Sequence, residues 1–373
     1  MILGILKEIK LQENRVCMTP AGVDQMRANG HTVYVEKAAG RGSGFDDHLY
    51  TEAGAKILDT PEQIYDIADM VMHVKEPQPS EYGLIKKDQI VFTYLHLAAD
   101  RELTDALLKT GSIGIAYETI EDKNGGLPLL APMSEVAGRL ATQQGAKYLE
   151  RTFGGRGLLL GGVTGTPSAN VLVIGGGMVG IHAAHVACGM GANVTILDMN
   201  IERLRYLSEI MPANCTALMS SPVLIKELVQ TADMVVGAVL VAGAKAPRLI
   251  TRDMLPTMKK GAVIVDVAID QGGCFETSRP TTHGDPIYEV DGVIHYCVAN
   301  MPGAVPLTST IALTNVTLPY ALKIANNGWK SVLDDPGFAK GVNYVGEKLV
   351  CKPVADAFDL PCADLDDLIQ SMN

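Results

Sequence analysis

The first 130 residues alternate short apolar runs with amphipathic stretches, a pattern that predicts a parallel sheet with crossover helices. The expected strands are ILGIL (2–6), TVYVE (32–36), MVMHV (70–74), QIVFTYL (89–95) and SIGIAY (112–117). Asp59-Thr60-Pro61 reads as a helix start, and Asp100 to Lys109, stopped by Gly111, as a capped helix. In an open parallel sheet the binding crevice lies beyond the carboxyl ends of the strands, and Lys75 and His96 both fall there.

One long helix is expected from Ser134, as N-cap, to about Arg151. A second alternating region follows it, with strands NVLVIG (170–175), NVTILD (193–198), DMVVGA (233–238), AVIVDV (262–267) and VIHYCV (293–298). From Val305 to about Asn326 the chain again reads as helix, bent near Pro319, and is expected to return to the first domain. The predicted architecture is therefore α/β, with two doubly wound parallel-sheet domains joined by long helices. One domain is expected from residues 1–130 plus 305–373, the other from 131–304. The tail ADLDDLIQSM reads as a short surface helix.

Composition narrows the classes of partner. With 47% apolar and 20% charged residues over 373 positions, the chain has ample core for two folded domains. An excess of 42 acidic over 31 basic residues, a formal charge of -11, argues against nucleic acid and anionic membrane. The seven cysteines are scattered and form no C-x-x-C pair, the usage of reduced thiols in a cytoplasmic protein, and no cluster has metal-site spacing. MILGILKEIK reaches Lys7 and Glu8 before a signal-peptide core can form, and the longest uncharged stretch, 157–181, is broken by glycines and Pro167. Neither export nor a membrane span is expected.

The strongest motif is Gly175-Gly176-Gly177-Met178-Val179-Gly180, set between a strand and a helical run, with Asp198 ending the next strand. This is the full context of a Rossmann dinucleotide site. Gly175 permits the tight turn, Gly177 lets the backbone approach a pyrophosphate, and Gly180 lets helix and strand pack closely. Free N–H groups at the helix start, aided by the helix dipole, favour phosphate. Asp198 would accept hydrogen bonds from the adenosine ribose and repel a 2′-phosphate, so NAD is expected rather than NADP; its bland alternative is a helix cap. Arg203 has three roles open to it: holding a phosphate, lying along the adenine, or facing solvent.

GGVTGTPSANVLVIGGGMVG (161–180), GGCFETSRPTTH (272–283), YCVANMPGAVPLTSTIALTN (296–315) and GILKEIKLQENRVCMTPAGV (4–23) resemble bacterial alanine dehydrogenase, within the alanine dehydrogenase and transhydrogenase alpha-subunit family. The resemblance spans essentially the whole chain. It implies a cytoplasmic, homohexameric oxidoreductase that interconverts L-alanine with pyruvate and ammonia. The domain 1–130 plus 305–373 would hold substrate and the domain 131–304 would hold NAD. Arg15 would grip the substrate carboxylate, Lys75 its carboxylate or carbonyl oxygen, His96 would move protons, and Asp270 would assist water and ammonia. Around the NAD it places Ser134, Gly175, Gly177, Met178, Val179, Gly180, Asp198, Arg203, Ser220, Val239, Leu240, Val267, Ala268, Ile269, Asp270, Val298, Asn300 and Met301.

Without the resemblance these four residues have ordinary alternatives. His96 reads equally as a hydrogen-bonded structural histidine, Arg15 and Lys75 as surface charges, and Asp270 as the cap of the glycine turn after it. Rival functions are an opine or saccharopine-type dehydrogenase and the NAD(H)-binding subunit of proton-translocating transhydrogenase. Presence of Arg15, Lys75, His96 and Asp270 together favours the dehydrogenase.

Overall fold

The computed structural model describes residues 1–239 and 247–371. Contacts divide the chain into two compact units, Met1–Met133 with Val305–Asn373, and Ser134–Ala304. In chain order the strands are β1 (Ile2–Ile5), β2 (Thr32–Glu36), β3 (Lys56–Leu58), β4 (Met70–Met72), β5 (Ile90–Thr93), β6 (Ile113–Ala116) and β7 (Asn170–Ile174). They continue as β8 (Asn193–Asp198), β9 (Cys215–Met219), β10 (Met234–Gly237), β11 (Val263–Asp266), β12 (Ile287–Val290), β13 (Val293–Tyr296), β14 (Val342–Val345) and β15 (Lys348–Leu349).

In the first unit β1 to β6 run parallel in the order β6-β5-β4-β1-β2-β3. The C-terminal segment adds β14 antiparallel to β6, and β15 beyond it. In the second unit the parallel order is β13-β11-β10-β7-β8-β9, with β12 antiparallel at the edge. Both are doubly wound sheets of the expected class, with a switch point between β1 and β4 in one and between β7 and β10 in the other.

The central strands form because their residues are apolar and largely β-branched, and the sheet buries both of their faces. All four residues of β5, of β10 and of β11 are buried. Under the sheets lie Leu6, Val71, Val91, Leu103 and Leu107 in the first unit and Leu172, Val235, Leu255 and Ile264 in the second. Helix ends carry their expected chemistry. Asp100 caps Arg101–Thr110 by accepting from the Leu103 N–H at 3.0 Å, and Gly111, at φ 72°, ends it. Gln63 accepts from the backbone N–H groups of Asp59 and Thr60 to open Pro61–Ile67.

Several expected bounds are corrected. The long helix spans Ala131–Tyr148, so Ser134 lies inside it and is not its cap; Pro132 fits the first turn, where its missing N–H costs no helical bond. Five strands escaped the apolar pattern. β3 is very short, β9 and β12 are partly exposed edge strands, and β14 and β15 are short strands in the C-terminal segment. The returning helix runs Pro306–Asn327 with Pro319 inside it. The tail helix is Leu365–Ser371, and it buries Ile369. No helix among the described residues is long and apolar enough to cross a membrane.

Close packing at the turn after β7 yields a stability test. A Cβ on Gly180 would lie 1.8 Å from the Gly175 carbonyl oxygen, whereas one on Gly177 would meet nothing within 4 Å. Gly180→Ala should therefore destabilise by at least about 1–3 kcal/mol, while Gly177→Ala should leave the thermal unfolding midpoint near that of the parent. Equal midpoints for the two variants would contradict this packing.

Candidate functional site

In the second unit the candidate residues follow the carboxyl ends of all six parallel strands. After β7 the chain turns through Gly175, whose φ of 105° suits glycine and whose Cβ would lie 2.6 Å from the Ala238 carbonyl oxygen. Gly177 then sits at the N-cap of helix Met178–Gly189 with no side-chain cap, leaving the first N–H groups of that helix for an incoming acceptor. Gly177 and Met178 are exposed, Val179 is half-buried and Gly180 is buried.

Asp198, the last residue of β8, accepts from the Gly176 N–H and the Asn200 N–H, each at 2.8 Å. The cap of the next helix, Ile201–Ile210, is Asn200 and not Asp198. Asp198 thus stands against the glycine turn, where an adenosine ribose would lie in this fold. Arg203 donates from Nε to the Gly176 carbonyl at 2.5 Å, and its guanidinium lies over the Tyr206 ring. Ser220 follows β9 and gives its N–H to the Asp198 carbonyl. Val239 follows β10 and is half-buried, and Leu240 lies outside the described residues.

Val267, Ala268, Ile269 and Asp270 follow β11. Asp270 is exposed, in the short turn Ile269–Gln271, while Ala268 and Ile269 are buried. Val298 and Met301 are buried and Asn300 adopts a left-handed backbone at φ 58°, all after β13. Ser134 is half-buried in the first turn of its helix. The residues fit a dinucleotide: an uncapped helix start, a ribose-side carboxylate, and a buried Gln271 Oε1 without a hydrogen-bond partner among the described residues.

Sequence reasoning missed the group that shapes this loop. Asp266, fully buried at the end of β11, accepts from Cys274 N at 2.8 Å, Ser278 Oγ at 2.5 Å and Ala268 N at 3.2 Å. Burial pushes its carboxyl up, against those hydrogen bonds. It closes the segment 267–278 into the turn that carries Asp270.

In the first unit the candidates again follow strand ends. Arg15 is buried, not a surface charge, and is held in a two-point grip: Nε to Glu13 Oε1 at 2.7 Å and Nη2 to Glu13 Oε2 at 2.5 Å. Its Nη1 donates to the Met133 thioether sulfur, a weak acceptor, at 3.1 Å. Lys75, three residues beyond β4, is half-buried, and its ammonium has no partner among the described residues. Burial and the nearby Arg15 charge push its pKa down.

His96 follows β5 with a left-handed backbone at φ 51° and an exposed ring. Glu118, just after β6, holds that bend by accepting from the N–H groups of His96 at 2.6 Å and Leu95 at 3.0 Å. Glu76 Oε2 takes the ring's Nδ1 at 3.1 Å and also pairs with Lys10. Burial works to raise the Glu76 carboxyl, but His96 and Lys10 outweigh it and hold it well below the usual carboxylate range. A carboxylate only accepts, so Nδ1 donates to Glu76 and Nε2 is the ring nitrogen positioned to exchange a proton. Glu13, Glu76 and Glu118 were not singled out from sequence. The signals available were local: Glu13 two residues before Arg15, and Glu76 directly after Lys75.

The family model "Alanine dehydrogenase/PNT, N-terminal domain" matches residues 4–137, and "Alanine dehydrogenase/PNT, C-terminal domain" matches 141–352. An alanine dehydrogenase of Methanococcus maripaludis is 54% identical over 363 residues, 97% of each chain. One of Bacillus subtilis is 54% identical over 357 residues, 95% of this chain and 94% of the relative. A solved L-alanine dehydrogenase superposes with a TM-score of 0.94 at 50% identity, covering 96% of this chain and 99% of its own. A transhydrogenase structure from Sinorhizobium meliloti, at 24% identity and a TM-score of 0.81, covers 94% and 99% and shares the fold. Matches to both halves, and relatives more than half identical along nearly the whole length, show that the chain belongs to the alanine dehydrogenase family.

Proposed function

We propose that this chain is an L-alanine dehydrogenase, catalysing the reversible, NAD-dependent oxidative deamination of L-alanine to pyruvate and ammonia. The observation that carries the reading is Lys75, a half-buried ammonium at the carboxyl edge of a switch-point strand that makes no hydrogen bond or ion pair among the described residues and whose charge Glu76 and Glu13 support only in part. Such a group is oriented for a small anion. The likeness to alanine dehydrogenases supports alanine and pyruvate as that anion. In this reading residues 134–304 hold the cofactor, and residues 1–133 with 305–373 supply Arg15, Lys75 and His96. On family resemblance we further propose a homohexamer working in the cytoplasm.

Bound NAD supplies the hydride acceptor for the substrate α-carbon. Lys75 and the Nη1 edge of Arg15 take the substrate carboxylate, a stronger acceptor than the Met133 thioether that Nη1 meets here. Glu13, gripping the opposite edge, keeps the guanidinium planar to that task. His96 takes a proton from the alanine ammonium at Nε2, while Glu76 steadies the imidazolium so formed. The freed amine lone pair then drives the α-hydride out and leaves an iminium. Asp270 orients the water that adds to the iminium carbon with loss of a proton to solvent. The His96 imidazolium returns its proton to the carbinolamine nitrogen, and ammonia leaves as the hydroxyl gives up its proton to form the pyruvate carbonyl.

NAD should be used far better than NADP, because a 2′-phosphate would face the Asp198 carboxylate. Replacing Asp198 with glycine should narrow that gap, and comparable kcat/KM for the two cofactors in the parent enzyme would defeat the assignment. His96→Ala should lower turnover in both directions by roughly a hundredfold or more, with NADH affinity retained. Asp270→Asn keeps the shape, removes the charge, and should cripple turnover with the fold intact; near-normal turnover would reduce it to a turn residue. Absorbance of NADH with L-alanine and NAD as the only substrates tests the activity itself, and absence of any signal would refute the reading.

A further inference from the structure

The segment 73–81, which carries Lys75 and Glu76, is closed by a buried ionic cluster that the chemistry above does not use. His73 is 1% exposed, Glu81 3% and Glu8 8%. His73 Nδ1 meets Glu8 Oε1 at 3.3 Å, and Nε2 meets Glu81 Oε1 at 3.3 Å and the Tyr65 hydroxyl at 3.2 Å. Glu8, which follows β1, also accepts from the backbone N–H of Val74 at 2.6 Å and, at 3.4 Å, from that of Lys75. Glu81 closes the far end by accepting from the Gln78 N–H at 2.7 Å.

We propose that His73 is a positioning residue for substrate binding: as a buried cation it joins Glu8 to Glu81 and so fixes the chain from which Lys75 and Glu76 project. The proposal rests on the role given to Lys75 above. Two ionised carboxylates this deeply buried are stable only with a cation between them. A neutral imidazole has one N–H and can serve one carboxylate; the imidazolium has two and serves both. Burial alone would lower the His73 pKa, but Glu81 and Glu8 more than reverse this and raise it to about 10. Glu36, whose carboxyl accepts from the Lys7 N–H at 2.8 Å, adds further negative charge on the β2 side, with Lys7 partly offsetting it.

Removing the charge sets Glu8 against Glu81. Either one carboxylate takes a proton or the segment parts from β1, and in both cases the Glu8 bonds to the Val74 and Lys75 backbone weaken. Lys75 suffers most from this, because its ammonium makes no hydrogen bond or ion pair among the described residues to hold it in place, and Glu76, one of the two carboxylates that act on it, rides on the same segment. A charge requirement differs from a packing requirement, and substitutions separate the two.

The test compares His73→Gln, which keeps hydrogen-bonding capacity without charge, with His73→Lys, which restores the charge. His73→Gln should raise KM for pyruvate about tenfold, the scale of a lost charged hydrogen bond, and leave the NADH Kd unchanged. His73→Lys should bring KM back to within about threefold of the parent. An unchanged pyruvate KM in folded His73→Gln, or equal impairment in both variants, overturns the proposal. Should His73→Gln not fold, Glu81→Gln, which leaves the His73–Glu8 pair, should still raise the pyruvate KM; no change there overturns it too. Lys75→Ala separates the levels: if it leaves pyruvate KM unaltered, the role of Lys75 fails, whereas a raised KM there with none in His73→Gln sinks the positioning role alone.

Discussion

At the switch point of a doubly wound sheet, two neighbouring parallel strands send their connections to opposite faces, and the chain cannot fill the space above them. The core of each candidate site depends on that constraint. In one unit it lies between β1 and β4, in the other between β7 and β10. Glu8 and Arg15 follow β1, and Lys75 and Glu76 follow β4. The glycine turn follows β7 and Val239 follows β10. Backbone N–H groups, a helix dipole and side chains from distant parts of the sequence all converge on such an edge because the topology leaves them nowhere else to meet.

Carboxylates do the orienting in the first unit. Glu13 fixes Arg15, Glu76 fixes the ring of His96, Glu118 fixes its backbone, and Glu8 anchors the chain at Lys75. Each acidic group neutralises or holds what it touches, so little net positive charge is left over. At Lys75 this compensation is incomplete: burial and Arg15 work against its charge, and Glu76 and Glu13 offset them only in part. A cation destabilised in this way gains more from an arriving carboxylate than a solvated one would, because the attraction acts where water screens it less.

How much of this was legible in the sequence followed burial and sequence distance. Central strands such as β5 and β11 show in the apolar pattern because both faces are buried; β9, β12 and β14 do not, since edges and short returns carry mixed residues. The glycine turn was readable because each glycine meets a local steric demand. Ser134 misled as a cap because a serine before an apolar run is the usual cap signature, and here the helix had begun three residues earlier. Arg15, Lys75, His96 and Asp270 came from family likeness, since nothing local marks them. Glu13 stands only two positions from Arg15, but the more distant pairs stayed hidden for a related reason: Glu118 and His96 are 22 positions apart, and Glu8 and His73, in the buried cluster that closes the Lys75 segment, are 65. No periodicity encodes such pairs; only the strand order does.

Asp198 shows how closely turn geometry and cofactor choice are joined. Its two oxygens are each held by a backbone N–H at 2.8 Å, one from Gly176 and one from Asn200, so the carboxylate has a fixed position. A Cβ on Gly176 would lie 2.9 Å from Asp198 Oδ2, which means the turn leaves room for that carboxylate only because glycine stands there. A group so constrained cannot swing aside to admit a second anion. Under the proposed use of NAD, discrimination against a 2′-phosphate would be set before any ligand arrives and would cost no rearrangement on binding. The same bonds make Asp198 part of the glycine turn proposed to receive the pyrophosphate, so in that reading its removal would loosen phosphate binding as well as selectivity. In that reading selectivity and affinity at this edge are one structural property, written into the contact between the second glycine and the end of β8.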